Sequence, residues 1–68
     1  MQHPLVAALK DQERSQSWLG RKCGKSTSYV SRVINQTLQP TAEFRARASE
    51  VLGILEEDLF PASQRQAA

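Results

Sequence analysis

One stretch of the chain holds five basic side chains and no acidic one. Residues 14–42 carry a formal charge of +5, from Arg14, Arg21, Lys22, Lys25 and Arg32. The flanks are acidic, at −1 for residues 1–13 and −2 for residues 43–68. Positive charge gathered in one segment favours an anionic partner for that segment. Charge alone leaves a second interpretation equally open, in which the segment is a solvated basic surface without a partner.

The residue inventory excludes most catalytic and metal chemistry. The chain has one histidine, His3, and one cysteine, Cys23, which are too few for a zinc site or a thiol–histidine pair. It also lacks a glycine-rich phosphate loop. We therefore predict no enzyme, no metal, no cofactor and no small-molecule ligand. A single cysteine excludes an internal disulfide and is typical of a reducing cytoplasm.

The length of 68 residues leaves room for one small domain. The 40% hydrophobic and 24% charged residues are ordinary for a soluble fold. No apolar run approaches the roughly 18 residues of a membrane-spanning helix, and the N-terminal stretch is too polar for a secretory signal. We predict a cytoplasmic protein with no membrane contact.

Helix signals run through the chain and strand signals are nearly absent, which predicts a compact all-α bundle of about five short helices. Pro4 can begin the first helix, and three hydroxyl residues can cap later ones, namely Ser15, Ser26 and Thr41. Three positions are expected to end helices in the left-handed conformation, namely Gly24, Asn35 and Gly53. We predict a domain over residues 1–61 and a flexible tail over residues 62–68.

Apolar positions at helical spacing predict the core. They are Leu5, Ala8, Leu9, Leu19, Cys23, Val30, Val33, Phe44, Ala48, Val51 and Leu52, with Ile54, Leu55, Leu59 and Phe60 closing the core from a last short helix. Leu38 is expected to anchor the loop before Pro40. Trp18 is expected to be half-buried against the first helix, and His3 to fray.

The centre of the chain predicts two short helices joined by a tight turn, in the run SQSWLGRKCGKSTSYVSRVINQ from Ser15 to Gln36. This run resembles the helix-turn-helix family of Cro and the lambdoid phage repressors. The matching positions are Gln16, Leu19, Gly20, Cys23, Gly24, Val30 and Val33. Pro40 and the endings ASEVLG and EEDLF extend the resemblance to roughly residues 5–60. Three positions depart from the family pattern: Lys25 replaces a small apolar residue, Ile34 a glutamate and Gln36 a glycine.

The resemblance implies a lambda repressor-like DNA-binding domain whose second motif helix enters the major groove by its N-terminal part. It places four residues near base edges: Thr27, Ser28, Ser31 and Arg32. It implies contacts to the DNA backbone from Gln16, Lys25, Tyr29, Asn35, Thr37 and Gln39. Arg21 and Lys22 are expected on the far side of their helix.

Several of these residues have a second interpretation. Ser15 and Ser26 are expected to be caps rather than DNA contacts. Gln16 is otherwise an exposed polar residue. Arg32 otherwise binds phosphate or an acidic neighbour such as Glu43, and Ile34 is either exposed or faces a partner.

The implied function is a sequence-specific repressor that binds a palindromic operator in double-stranded DNA as a homodimer, in a bacterial or phage-infected cell. One such motif touches too few base pairs for regulation by a monomer. We expect the dimer surface at Leu55–Phe60 with Ile54, where apolar side chains exceed the need of one core. The alternative function is an antitoxin or other protein-interaction module with the same fold. RNA binding is disfavoured because interleaved aromatic residues are missing.

Overall fold

The structure is a computed structural model that describes residues 3–65 of the chain. Its helices are α1 (Pro4–Asp11), α2 (Gln16–Cys23), α3 (Thr27–Ile34), α4 (Ala42–Leu52), α5 (Glu56–Leu59) and α6 (Ala62–Arg65). No strand occurs within residues 3–65. The prediction of an all-α fold is confirmed, with one short helix more than expected.

Helices α2, α3 and α4 begin at the hydroxyl caps that the sequence predicts. The side-chain oxygens of Ser15, Ser26 and Thr41 each accept the N–H of the third helical residue, at 3.0, 3.1 and 3.1 Å. The first turn of a helix leaves N–H groups without an acceptor, and each cap satisfies one of them. The starts of these helices are therefore set by local chemistry.

Left-handed residues end two helices where the sequence predicts them, at Gly24 (φ +70°) and Gly53 (φ +69°). The prediction for Asn35 is wrong, because this residue keeps right-handed backbone angles with φ −78°. Its N–H still donates to the carbonyl of Ser31 at 2.9 Å. The helical hydrogen bonds thus continue one residue further, and Gln36 takes the left-handed conformation instead, with φ +61°.

The core consists of buried apolar side chains from α1 to α5 and from Phe60 just after it. They are Leu5, Ala8, Leu9, Leu19, Val30, Val33, Phe44, Ala48, Leu52, Leu59 and Phe60. All were predicted as core. Three other predicted core residues are only half-buried, namely Cys23, Val51 and Ile54, and Leu55 is 63% exposed at the cap position of α5. Leu38, predicted to anchor the loop before Pro40, is half-buried against the core. Trp18 is half-buried against this core, and so is Ile34.

Close packing joins α2 to α3 at Gly20. A Cβ atom at this position would lie 2.8 Å from the carbonyl oxygen of Lys25 and 3.1 Å from that of Ser26. The N–H of Lys25 donates to the carbonyl of Gly20 at 2.7 Å. The small residue predicted here is therefore required by the backbone of the turn that leads into α3.

The two ends of the described chain meet in a buried polar cluster. His3 is only 7% exposed and caps α1, since its Nδ1 accepts the N–H of Leu5 at 3.0 Å. Its Nε2 lies 2.6 Å from Oε1 of Gln64 in α6. The expectation that His3 frays is therefore wrong.

The expectation of a tail from Ala62 onward also needs correction. Residues 62–65 form α6, and the side chain of Gln64 is 3% exposed. The folded part thus reaches at least Arg65, whose Nε donates to the carbonyl of Phe60 at 3.0 Å. Residues 66–68 of the predicted tail lie outside the described residues, as do residues 1 and 2.

Candidate nucleic-acid interface

Helix α3 has one apolar face and one polar face. Val30 and Val33 are fully buried against the core. Because a helix turns about 100° per residue, the two residues between them, Ser31 and Arg32, point away from the core. The predicted base-contact residues lie on the outer surface: Thr27, Ser28 and Arg32 are exposed, and Ser31 is half-buried. The structure brings all four together on one eight-residue helix.

Arg32 has no acidic partner within residues 3–65. The ion pairs within this range join Arg45 to Glu56 and Arg47 to Glu50, at 3.4 and 3.3 Å. The guanidinium of Arg32 makes no hydrogen bond or ion pair with any described residue. The alternative in which Arg32 binds Glu43 is therefore not observed, and the group is available to an external acceptor.

The starts of α2 and α3 carry the same arrangement of free donors. In α2, the carbonyl of Ser15 accepts the N–H of Leu19, and its hydroxyl accepts the N–H of Trp18. In α3, Ser26 accepts the N–H groups of Val30 and Tyr29 in the same way. The N–H groups of the first two residues in each helix have no acceptor within the helix. Neither helix has an acidic residue in its first turn, so the helix dipole at both starts is favourable to an anion. Gln16, half-buried, is the first residue of α2.

Tyr29, predicted as a contact to the DNA backbone, has internal contacts that the sequence analysis missed. It is half-buried, and its hydroxyl oxygen accepts the N–H of Thr41 at 3.2 Å. Its ring meets the ring of Phe44 edge-on, with centroids 5.0 Å apart. The ammonium of Lys25 lies 5.1 Å from the ring centroid of Tyr29. Lys25 lies in the turn before the cap of α3, so helical i, i+4 spacing does not predict this contact.

The loop after α3 folds back onto the helix end. The N–H and the hydroxyl of Thr37 both donate to the carbonyl of Arg32, at 3.0 and 3.3 Å. Thr37 is exposed, as are Asn35 and Gln39. All three predicted backbone contacts in this region thus lie on the surface, but the hydroxyl proton of Thr37 is already used inside the protein.

Two buried polar residues support this region from behind, and the sequence analysis missed both. Gln64 Nε2 donates to the carbonyl of Val33, in the last turn of α3, at 2.8 Å. Arg45 is 7% exposed and donates through one guanidinium nitrogen to the carbonyls of Pro40 and Gln64, at 3.0 and 3.1 Å. Within residues 3–65 no buried side-chain nitrogen or oxygen lacks a partner. No local pattern in the sequence points to either residue.

Apart from the outer face of α3, the structure has a concave surface between the end of α2 and α4. It is lined by Arg21, Lys22, Cys23, Gly24, Glu43, Ala46, Arg47 and Glu50. Burial raises the pKa of the Cys23 thiol above its ordinary value, although the charge of Arg47 acts in the opposite direction. The thiol is therefore kept protonated, which disfavours a nucleophilic role.

Two classes of site are not found among residues 3–65. No three His, Cys, Asp or Glu side chains in this range are grouped so that they could hold a metal ion. No helix of the described part has the length and apolar character needed to cross a membrane. Comparisons of the chain with protein-family models, with curated proteins and with solved structures find no match.

Proposed function

We propose that the protein is a sequence-specific regulator that binds double-stranded DNA, with α2 and α3 as a helix-turn-helix. The observation that carries the proposal is the outer face of α3. It is polar and exposed, it holds an arginine without a side-chain partner among residues 3–65, and it lies in a segment with no acidic residue. A helix with these properties fits the major groove, where each base pair presents a distinct pattern of donors and acceptors.

Arg32 is the residue proposed to contribute most to sequence discrimination. A bidentate contact from its guanidinium to O6 and N7 of guanine is worth about 1–3 kcal/mol against the wrong base. Thr27, Ser28 and Ser31 are assigned contacts to neighbouring base edges. Their hydroxyl groups both donate and accept hydrogen bonds, so they discriminate more weakly than Arg32 does.

Contacts to phosphates are proposed to set the register of α3 in the groove. Gln16 and Asn35 are assigned to the DNA backbone on the two sides of the groove. The charge of Lys25 and the hydroxyl of Tyr29 add contacts near the start of α3. Gln39 and Thr37 are assigned to the neighbouring phosphates, Thr37 only if its hydroxyl exchanges its bond to the carbonyl of Arg32 for one to DNA.

We expect the protein to act as a repressor and to bind a palindromic operator as a homodimer, because one helix-turn-helix reads too few base pairs to find a unique site. Two of the four apolar residues predicted for the dimer surface are buried by the fold itself, and Ile54 is half-buried. Leu59 and Phe60 are fully buried, whereas Leu55 is 63% exposed. Sedimentation of the free protein and of its DNA complex tests the dimer. A monomer in both states refutes it.

Selection of bound sequences from a random duplex pool tests the proposed function. We expect an enriched palindrome whose half-sites lie about one helical turn apart. If no sequence is enriched, and if no duplex is bound even at low salt, the DNA-binding proposal is wrong. A protein-interaction module is then the function to test next.

Arg32→Ala, measured on the selected duplex and on single-base variants of it, tests the assignment of bases. We expect the preference at one base position to relax by about 1–3 kcal/mol. Arg21→Ala is the matched control, because Arg21 is an exposed arginine on the groove between α2 and α4. An equal loss on all sequences for Arg32→Ala makes Arg32 a phosphate contact instead.

A further inference from the structure

Lys25 stands in an unusual place for a charged residue. It follows the turn glycine Gly24 directly, where the resembled family has a small apolar residue. Its backbone is packed closely against α2, since its N–H donates to the carbonyl of Gly20 at 2.7 Å and its own carbonyl oxygen would lie 2.8 Å from a Cβ atom placed on Gly20. The residue is only half-exposed. The start of this side chain is therefore fixed relative to α2 and α3.

The ring of Tyr29 provides a surface for the other end of the lysine side chain. The Nζ atom of Lys25 lies 5.1 Å from the ring centroid. The ring itself is held at its hydroxyl by the N–H of Thr41, at 3.2 Å, and at its edge by Phe44, with 5.0 Å between centroids. A cation over the face of an aromatic ring is attracted by the negative charge of that face.

We propose that Tyr29 is a positioning residue that holds the ammonium of Lys25 at the start of α3, where it neutralises one DNA phosphate. This inference rests on the proposed DNA-binding function. Lysine is a flexible point charge, and fixing its rotamers at an interface costs free energy. The ring of Tyr29 orders the side chain before DNA arrives. Lys25 and Tyr29 therefore act as one unit, and removing either removes the same phosphate contact.

The salt dependence of DNA binding measures this contact. Each neutralised phosphate contributes about −0.9 to the slope of log K against log salt. We expect Lys25→Ala to reduce the magnitude of the slope by about one, Tyr29→Leu to reduce it by nearly as much, and the double variant to reduce it no further. Tyr29→Phe keeps the ring, so it is expected to keep the slope while binding more weakly. Fluorescence anisotropy with a fixed labelled duplex gives these values.

Lys22→Ala is the matched control for the loss of one positive charge. Lys22 is exposed in the last turn of α2 and lines the groove toward α4. We expect its removal to change the slope far less than Lys25→Ala does. Circular dichroism of each variant checks that the helices are retained.

A second measurement needs no DNA and no variant that endangers folding. In the NMR spectrum of the free protein, the ε-methylene protons of Lys25 are expected upfield of those of Lys10 and Lys22, because the Nζ atom bonded to that methylene carbon lies over the Tyr29 ring, 5.1 Å from its centroid. If the three lysines give ε-methylene signals at the same chemical shift, the Lys25 side chain is not held over the Tyr29 ring.

The outcomes separate this inference from the function on which it rests. If the wild type binds no duplex, the DNA-binding proposal and the inference about Lys25 and Tyr29 are both wrong. If the wild type binds DNA and Tyr29→Leu leaves the slope unchanged, only this inference falls. The same holds if the losses from Lys25→Ala and Tyr29→Leu add.

Discussion

Gln64→Ala tests whether the C-terminal helix is part of the folded domain. The side chain of Gln64 is 3% exposed and joins three parts of the molecule. Its Oε1 lies 2.6 Å from Nε2 of His3, and its Nε2 donates to the carbonyl of Val33 at 2.8 Å. Since Nδ1 of His3 accepts the N–H of Leu5, Nε2 of a neutral His3 carries the proton and donates to Gln64.

The expected loss of stability follows from these two bonds. Each hydrogen bond is worth about 1 kcal/mol net, and a buried donor left without a partner adds about 1–3 kcal/mol. The carbonyl of Val33 retains the N–H of Gln36 at 3.1 Å, so only His3 is left unpaired. We therefore expect Gln64→Ala to lower the free energy of unfolding by roughly 3–5 kcal/mol, from about 2 kcal/mol for the two bonds and about 1–3 kcal/mol for the unpaired donor. A domain of this size has only about 3–10 kcal/mol in total.

Urea denaturation followed by circular dichroism at pH 7 measures this loss. Ser63→Ala is the matched control, because Ser63 is an exposed neighbour on the same helix. We expect the control to stay within about 0.5 kcal/mol of the wild type. If Gln64→Ala also stays within that range, residues 62–65 behave as the flexible tail that the sequence predicts, and the buried polar cluster does not contribute to stability.

Three further perturbations have defined outcomes. Gly20→Ala should destabilise the fold by about 1–3 kcal/mol in thermal unfolding, because the added Cβ atom would lie 2.8 Å from the carbonyl oxygen of Lys25. Unchanged or higher stability would contradict this close approach of the two backbones. Gln16→Ala should weaken binding to all duplexes alike, and a changed base preference in competition assays would contradict its assignment to phosphate. Stability should fall as pH rises above the ordinary pKa of cysteine, because burial raises the pKa of Cys23 in the folded state and the unfolded chain loses its proton first. Denaturation at several alkaline pH values should show this slope in the wild type and less of it in Cys23→Ala.

The limits of each helix were largely predictable from the sequence, because local interactions determine them. A hydroxyl cap such as Ser26 bonds to an N–H three residues away, and Gly24 relieves the strain of a left-handed turn. Apolar spacing likewise predicted that Val30 and Val33 point inward. The polar outer face of α3 follows from that spacing alone. The candidate interface was therefore predictable as a set of residues.

Tertiary structure decided which polar side chains are buried and which surface side chains form hydrogen bonds with distant parts of the chain. His3 and Gln64 lie 61 positions apart, and Gln64 reaches Val33 across 31. Tyr29 bonds to Thr41 across 12. A buried polar group needs a hydrogen-bond partner. The local sequence does not distinguish a histidine or glutamine that finds such a partner on folding from a histidine or glutamine that stays in water. Periodicity reports the direction of a side chain from its own helix, whereas these partners come from elements that only the complete fold brings together.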